Sequence, residues 1–410
     1  MKAPHLFACV LLAVTLACGL SSGLPAVTLT PSEIPVPTLP IPFSTPTPEP
    51  TFTPVPKISF PTCQAVETPF DEMQIQAFLS ATPTFYKAHG TASLRELAEE
   101  RGMLIGAGIS TSHLGEATYT NILRREFNVV VAETAMRWDT IHPEPLSYDF
   151  SQADQIVSFA QANGMAAYGH MLVWDYNYPD WLTQAEHSRD EWIQILCQHV
   201  KTVVSHYRGR VFAWLVVNEA VADNGNLYET LWLRKIGPEY LAMAFQWAHE
   251  ADPQALLIYN DHAAEGLNDK SQAIYAMIQG FVQLGIPIDG VGLQMHIWLY
   301  GPPTPQELAA NMRRYAELGL QVHITEMDVR TQYSPQSLEV KLRKQAETYQ
   351  QVLTACLEAI NCKVFMTWGV IDRYSWIKWY TGKEDAPLLF DGLGLEKPAY
   401  YAIREALSQP

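Results

Sequence analysis

From about Leu94 onward the chain alternates between short β-rich apolar runs and amphipathic helical patterns. The runs fall at 103–108, 128–133, 166–172, 211–218, 256–260, 290–295, 321–325 and 363–368. Helical periodicity recurs between them, at 152–163, 191–206, 240–250, 270–284, 304–318 and 338–359. Runs without a polar face read as parallel strands covered on both sides, each followed by a helix that carries the chain back. Eight such units predict an α/β fold of the closed (β/α)8 TIM-barrel type, as a single domain over 93–410. A doubly wound sheet is the rival. It would need a glycine-rich phosphate loop after its first strand, but Thr111 stands where a third glycine should follow Gly106 and Gly108.

In such a barrel, chemistry is done at the C-terminal mouth of the strands. Polar residues cluster where the runs end: Glu133, then Arg137 and Trp138; His170 and Trp174; Asn218 and Glu219; Asn260 and Asp261; Gln294 and His296; Glu326 and Asp328; Trp368, with Asp372 and Trp376 beyond. Glu219 and Glu326 close two of the runs, and two carboxylates facing each other at a barrel mouth suit glycosidic bond cleavage. One donates a proton to the leaving oxygen while the other attacks or activates water. Alternating polar and aromatic groups suit a sugar ring, whose C–H faces stack and whose hydroxyls hydrogen-bond.

Each residue also has a structural reading. One strand-end glutamate could be an ion pair, but two with polar neighbours on adjacent strands argue against that. A lone His170 would more often be a satisfied core histidine, and Trp138 and Trp181 would ordinarily be packing. His323 either packs or shares the inward face near Glu326, and carries no assigned role.

A formal net charge of −16 argues against nucleic acid as a partner. It leaves a neutral polysaccharide open. There is no Walker motif, no Cys/His metal spacing and no His-Glu-x-x-His helix, so neither metal nor cofactor is expected. A monomer is expected.

The N-terminus reads as an export signal over 1–18, with Lys2 as the charged start, Leu6 to Leu16 as the apolar core, and Ala17-Cys18 as the cleavage point. Cys18 resembles a bacterial lipoprotein cysteine, although Thr15 stands where leucine is usual. Lipidation at Cys18 with membrane anchoring and ordinary secretion are alternatives, and both place the protein outside the cell or at its surface. Residues 19–60 are a Pro/Thr-rich linker, expected to be disordered, and 61–92 an extension packing on the barrel. In an oxidising compartment Cys356 and Cys362 suit a short-loop disulfide, whereas Cys63 and Cys197 could pair or stay free.

The motifs Gly169-His170-Met171-Leu172-Val173-Trp174, Val216-Val217-Asn218-Glu219-Ala220, Asp289-Gly290-Val291-Gly292-Leu293-Gln294-Met295-His296 and Ile324-Thr325-Glu326-Met327-Asp328 resemble glycoside hydrolase family 10, the retaining endo-β-1,4-xylanases. So does the stretch from Trp368-Gly369 through Asp372 to Ser375-Trp376. The resemblance implies that Glu219 is the acid/base and Glu326 the nucleophile. It also implies that Asn218 bonds the sugar 2-hydroxyl and that His296 and Asp328 orient the nucleophile. His170, Trp174, Gln294, Trp368 and Trp376 would shape the subsite of the cleaved sugar, and Cys356–Cys362 would match a family disulfide. Glu133, Arg137 and Asn177 fall at further substrate-binding positions. Here the chain departs from the family: Arg137 replaces a lysine, Thr134 an asparagine, Asp175 a histidine and Asn177 a glutamine. The replacements fall on the glycone side, which puts the exact polymer in question rather than the bond-breaking pair; another β-glycan, or an inactive carbohydrate-binding barrel, are the alternatives.

Overall fold

The computed structural model describes residues 58–68, 92–184 and 186–409. The leader at 1–18 with Cys18, the linker up to 57, and residues 69–91 of the N-terminal extension lie outside the described residues. Nine parallel strands run β1 (Leu104–Ile109), β2 (Val129–Ala132), β3 (Ala166–Val173), β4 (Ala213–Asn218), β5 (Leu256–Asp261), β6 (Gly290–Leu293), β7 (His296–Trp298), β8 (Gln321–Arg330) and β9 (Cys362–Thr367). Each of β1 to β5 pairs with its successor, β6 pairs directly with β8, β8 pairs with β9, and β9 returns to β1. Eight strands therefore close the barrel, and β7 lies outside the ring against the far end of β8.

Alternation along the strands divides two cores. Val129, Val131, Leu215, Ile258, Val364 and Met366 form the packed interior of the barrel. Their neighbours Val130, Trp214, Leu257 and Phe365 join the larger apolar layer between strands and helices. His323 belongs to the interior, where its Nδ1 lies 2.9 Å from the Tyr168 hydroxyl. Burial pushes it down to about 3, so it is a neutral core histidine. Trp138 is also a packing residue, stacked 3.5 Å from His199 and donating to the Leu172 carbonyl. Helix starts are fixed locally: Ser188 with Glu191 and Thr304 with Glu307 form capping boxes at Arg189–His206 and Pro305–Glu317.

Two strands differ from the sequence expectation. The run predicted over 290–295 stops at Leu293, because Met295 turns into the left-handed region (φ 62°) and the chain restarts as β7. The run predicted to end at 325 continues to Arg330, since β7 supplies partners for it: His296 beside Asp328 and Trp298 beside Arg330. Apolar patterning alone stops where the charges start, and here charged residues continue the strand.

Both cysteine pairs are disulfides. Cys356–Cys362 ties the helix Leu338–Glu358 to β9. Cys63–Cys197, left open by sequence, fastens the described piece of the extension to the helix Arg189–His206. Val66 donates to Thr202 Oγ1 and Trp247 Nε1 to the Pro61 carbonyl along the same seam. In a chain-entropy treatment, closing 134 residues stabilises by about 5 kcal/mol and closing 6 by about 2. Cys63→Ser is therefore expected to lower the thermal midpoint more than Cys356→Ser does. Equal losses in calorimetry would show that the long crosslink adds nothing through the unfolded chain.

Candidate active site

β4 ends in Asn218, and Glu219 follows in the left-handed region at φ 56°, a conformation that costs a non-glycine residue roughly 1–3 kcal/mol. The turn is held by Glu219 N–H donating to the Asn260 carbonyl at the end of β5. On the side chain, Trp174 Nε1 donates to Oε2 at 2.9 Å and Gln294 Nε2 to Oε1 at 2.9 Å, with His262 Nδ1 3.8 Å from Oε1. Burial alone would push this carboxyl up. The donors from His262, Gln294 and Trp174 outweigh it and hold Glu219 down at about 2, ionised in the substrate-free site.

Glu326 faces the same space from β8. A register shift between Ile324 and Met327 turns two consecutive residues toward one partner. Thr325 Oγ1 donates to Asn260 Oδ1 at 2.7 Å, and Asn260 Nδ2 donates to Glu326 Oε1 at 2.6 Å. Gly292 makes room for this amide, since a Cβ there would stand 2.1 Å from Asn260 Oδ1. The same Asn260 Nδ2 donates to Asn218 Oδ1 at 2.8 Å, and Gln294 Nε2 donates to that oxygen at 3.1 Å as well as to Glu219. A continuous chain of amide hydrogen bonds thus joins the two carboxylates and fixes their relative position.

The other oxygen of Glu326 lies 3.2 Å from His296 Nε2, whose Nδ1 is 2.8 Å from Asp328 Oδ2. Burial opposes a charge on His296, but the carboxylates of Asp328 and Glu326 prevail and push it up to about 10. It is an imidazolium through the neutral range, a cation set against Glu326 Oε2. Trp376 Nε1 donates to the same Asp328 oxygen at 2.7 Å, so this indole is placed by the relay it flanks. His170 reaches within 3.8 Å of Glu326 Oε1, anchored by the Ala132 carbonyl at 3.1 Å. Trp368 meets His170 edge-on at 4.9 Å.

The remaining predicted positions line the mouth less uniformly. Glu133 and Trp368 both press on Gly108, where a Cβ would meet them at 3.2 and 3.1 Å. Burial pushes Glu133 up to about 7, with the Arg137 charge pulling the other way. Arg137 stacks over the Trp174 ring at 5.5 Å. Asp175 accepts from the Tyr178 hydroxyl in its own loop and from the Leu231 N–H at the start of the helix Leu231–Lys235. Asn177 is exposed in the left-handed region, and its carbonyl accepts from the Asp139 N–H. Sequence reasoning placed Asn260 at a strand end but assigned no role to it or to His262. Their signal was the unbroken polar triplet Asn260-Asp261-His262 closing an apolar run.

Two carboxylates joined by amides at a barrel mouth, beside a charged imidazole and indoles, can carry out acid/base and nucleophilic chemistry on a sugar acetal. Known proteins share this fold. The endo-1,4-β-xylanase B of Thermotoga neapolitana is 46% identical over 319 residues, covering 77% of this chain and 92% of that protein. The native xylanase 10B of Thermotoga maritima superposes with a TM-score of 0.75 at 46% identity, covering 77% of this chain and 98% of that one. Xylanase 10B of Thermotoga petrophila, solved in complex with xylobiose, gives a TM-score of 0.75 at 44% identity over 78% of this chain and 98% of that one. The model of glycosyl hydrolase family 10 matches residues 93–406, and the chain belongs to that family.

Proposed function

We propose that the protein is an endo-1,4-β-xylanase that cleaves internal xylosidic bonds of xylan with retention of configuration. The observation that carries this reading is the amide chain from Glu219 through Gln294, Asn218 and Asn260 to Glu326, which holds the two carboxylates in one frame. In the first step Glu326, ionised beside His296, attacks the anomeric carbon while Glu219 gives a proton to the departing glycosidic oxygen. In the second, water attacks the glycosyl ester with Glu219 now taking the proton, and Glu326 leaves as a carboxylate.

Glu219 must hold a proton to start the cycle, yet in the empty site its donors keep it ionised at about 2. A bound sugar supplies the change. The glycosidic oxygen needs a donor, the site loses water, and nearby Glu326 is still charged, so protonating one of the two carboxylates is favoured. Once Glu326 is esterified its charge is gone and Glu219 ionises again.

The test is reaction on xylan, cellulose, mannan and mixed-linkage glucan, with the anomer of the first product read by NMR. Rapid chain shortening of xylan and a β-configured initial product support the proposal. An α product would make the enzyme inverting. A second reading, a different β-glycan as preferred substrate, draws on the engagement of Asp175 by the Leu231 N–H and the exposure of Asn177; faster cleavage of another polymer would establish it. We further propose export, with Cys18 as a lipid anchor, because a proline-rich spacer follows the leader. Membrane fractionation checks it: Cys18→Ala moves the enzyme to the soluble fraction, whereas wild type found only in the medium rules the anchor out.

A further inference from the structure

The pairing of β7 with β8 does more than extend the sheet. Its register sets His296 beside Asp328 and, two residues on, Trp298 beside Arg330. Period two puts both pairs on one face of the ribbon. Asp328 uses only one of its oxygens: Oδ2 takes His296 and Trp376, while Oδ1 is buried and accepts no hydrogen bond. Arg330 Nε is buried and donates none, and the two atoms lie 3.8 Å apart. A buried donor and a buried acceptor, each without a partner, face each other about 0.8 Å beyond hydrogen-bond length.

The guanidinium is also enclosed by rings. It sits 4.7 Å from the Trp376 ring centroid, 5.1 Å from Trp298 and 6.0 Å from Tyr380. Trp298 is 40% and Tyr380 65% exposed, so these rings present an outer face to whatever enters the mouth. Arginine suits both contacts, since its planar fork stacks on rings while donating in its own plane.

We propose that Arg330 is a positioning residue that keeps the Asp328–His296–Glu326 relay charged and ties it to the aromatic wall of Trp298, Trp376 and Tyr380. This rests on Glu326 being the nucleophile. The cation offsets the unbonded Asp328 oxygen, which would otherwise add uncompensated negative charge behind His296 and make Glu326 harder to ionise. The other titratable groups facing this relay are His170 and Tyr168 from β3, the first 3.8 Å from Glu326, Arg137 from the loop after β2, Glu219 across the mouth, and Tyr349 from the helix Leu338–Glu358. None of them contacts Asp328 Oδ1 with a hydrogen bond.

The experiment compares Arg330→Met and Arg330→Lys with wild type in pH profiles of kcat/KM on an aryl β-xylobioside and in KM on long xylo-oligosaccharides. Arg330→Met removes the charge and is expected to move the acid limb to higher pH by roughly half a unit or more. Arg330→Lys keeps a charge but cannot stack as a plane. It is expected to hold the limb at the wild-type position while KM on long substrates rises severalfold. An unmoved limb in Arg330→Met, or an equal shift in both variants, overturns the proposal. Should Arg330→Met fail to fold, Arg330→Lys decides: a shifted limb counts against, an unshifted limb with raised KM in favour. Glu326→Ala separates this from the underlying reading. Activity surviving there refutes the nucleophile assignment, whereas its loss together with an unmoved Arg330→Met limb refutes only the role of Arg330.

Discussion

Glu326→Ala is expected to abolish turnover on every substrate, polymeric or aryl, by roughly 10⁵-fold or more in kcat, because no glycosyl ester can form. The structure makes this substitution informative. Glu326 is buried and accepts from Asn260 at 2.6 Å, with His296 at 3.2 Å, so its loss empties the attacking position without opening the barrel wall. His296 keeps Asp328 as its counter-charge at 2.8 Å and is not left as an isolated buried cation. The variant should therefore fold, and calorimetry together with retained binding of xylobiose would show it. Azide small enough to occupy the vacated space would displace the leaving group directly and give the α-glycosyl azide, with inversion. Turnover of Glu326→Ala above about one per cent of wild type, with a β-configured product, would mean that another group attacks the sugar.

Much of the barrel was legible because each closing strand is an apolar run with a helix behind it, and the two periodicities do not resemble each other. The legible part of the site was likewise whatever ends such a run: Asn218 with Glu219, and Glu326. What escaped depends on register. Asn260 looks like any strand-end amide, and only the irregularity between Ile324 and Met327 brings Thr325 and Glu326 onto it together. β7 is three residues long and carries no run of its own; it exists because the β8 backbone beyond Glu326 offers it hydrogen bonds. The pairing of Cys63 with Cys197 spans 134 residues and depends on how the extension crosses the helix Arg189–His206, which local pattern does not encode. The bond from the Leu231 N–H to Asp175, 56 residues apart, likewise depends on how two loops meet.

Glu219→Ala is expected to behave differently from Glu326→Ala, and the difference depends on the leaving group. On xylan the departing sugar alkoxide needs a proton, so kcat/KM should fall by roughly 10³- to 10⁴-fold. On a dinitrophenyl xylobioside the leaving oxide is stable without a proton, and formation of the glycosyl ester should be nearly as fast as in wild type. Its breakdown still needs a base to activate water, so ester accumulates and a burst of aryl oxide precedes a slow steady state. Azide needs no base. It should enter the space vacated by the carboxyl, beside Trp174 Nε1 and Gln294 Nε2, which both donate to Glu219 in the wild type. Those donors attract an anion there, and turnover should recover with a β-glycosyl azide as product. The stereochemistry distinguishes the two positions: β-azide marks attack on an ester from the acid/base side, α-azide attack from the nucleophile side. If both alanine variants lose aryl substrates equally, and neither yields an azide product, then Glu219 and Glu326 do not divide the work as acid/base and nucleophile.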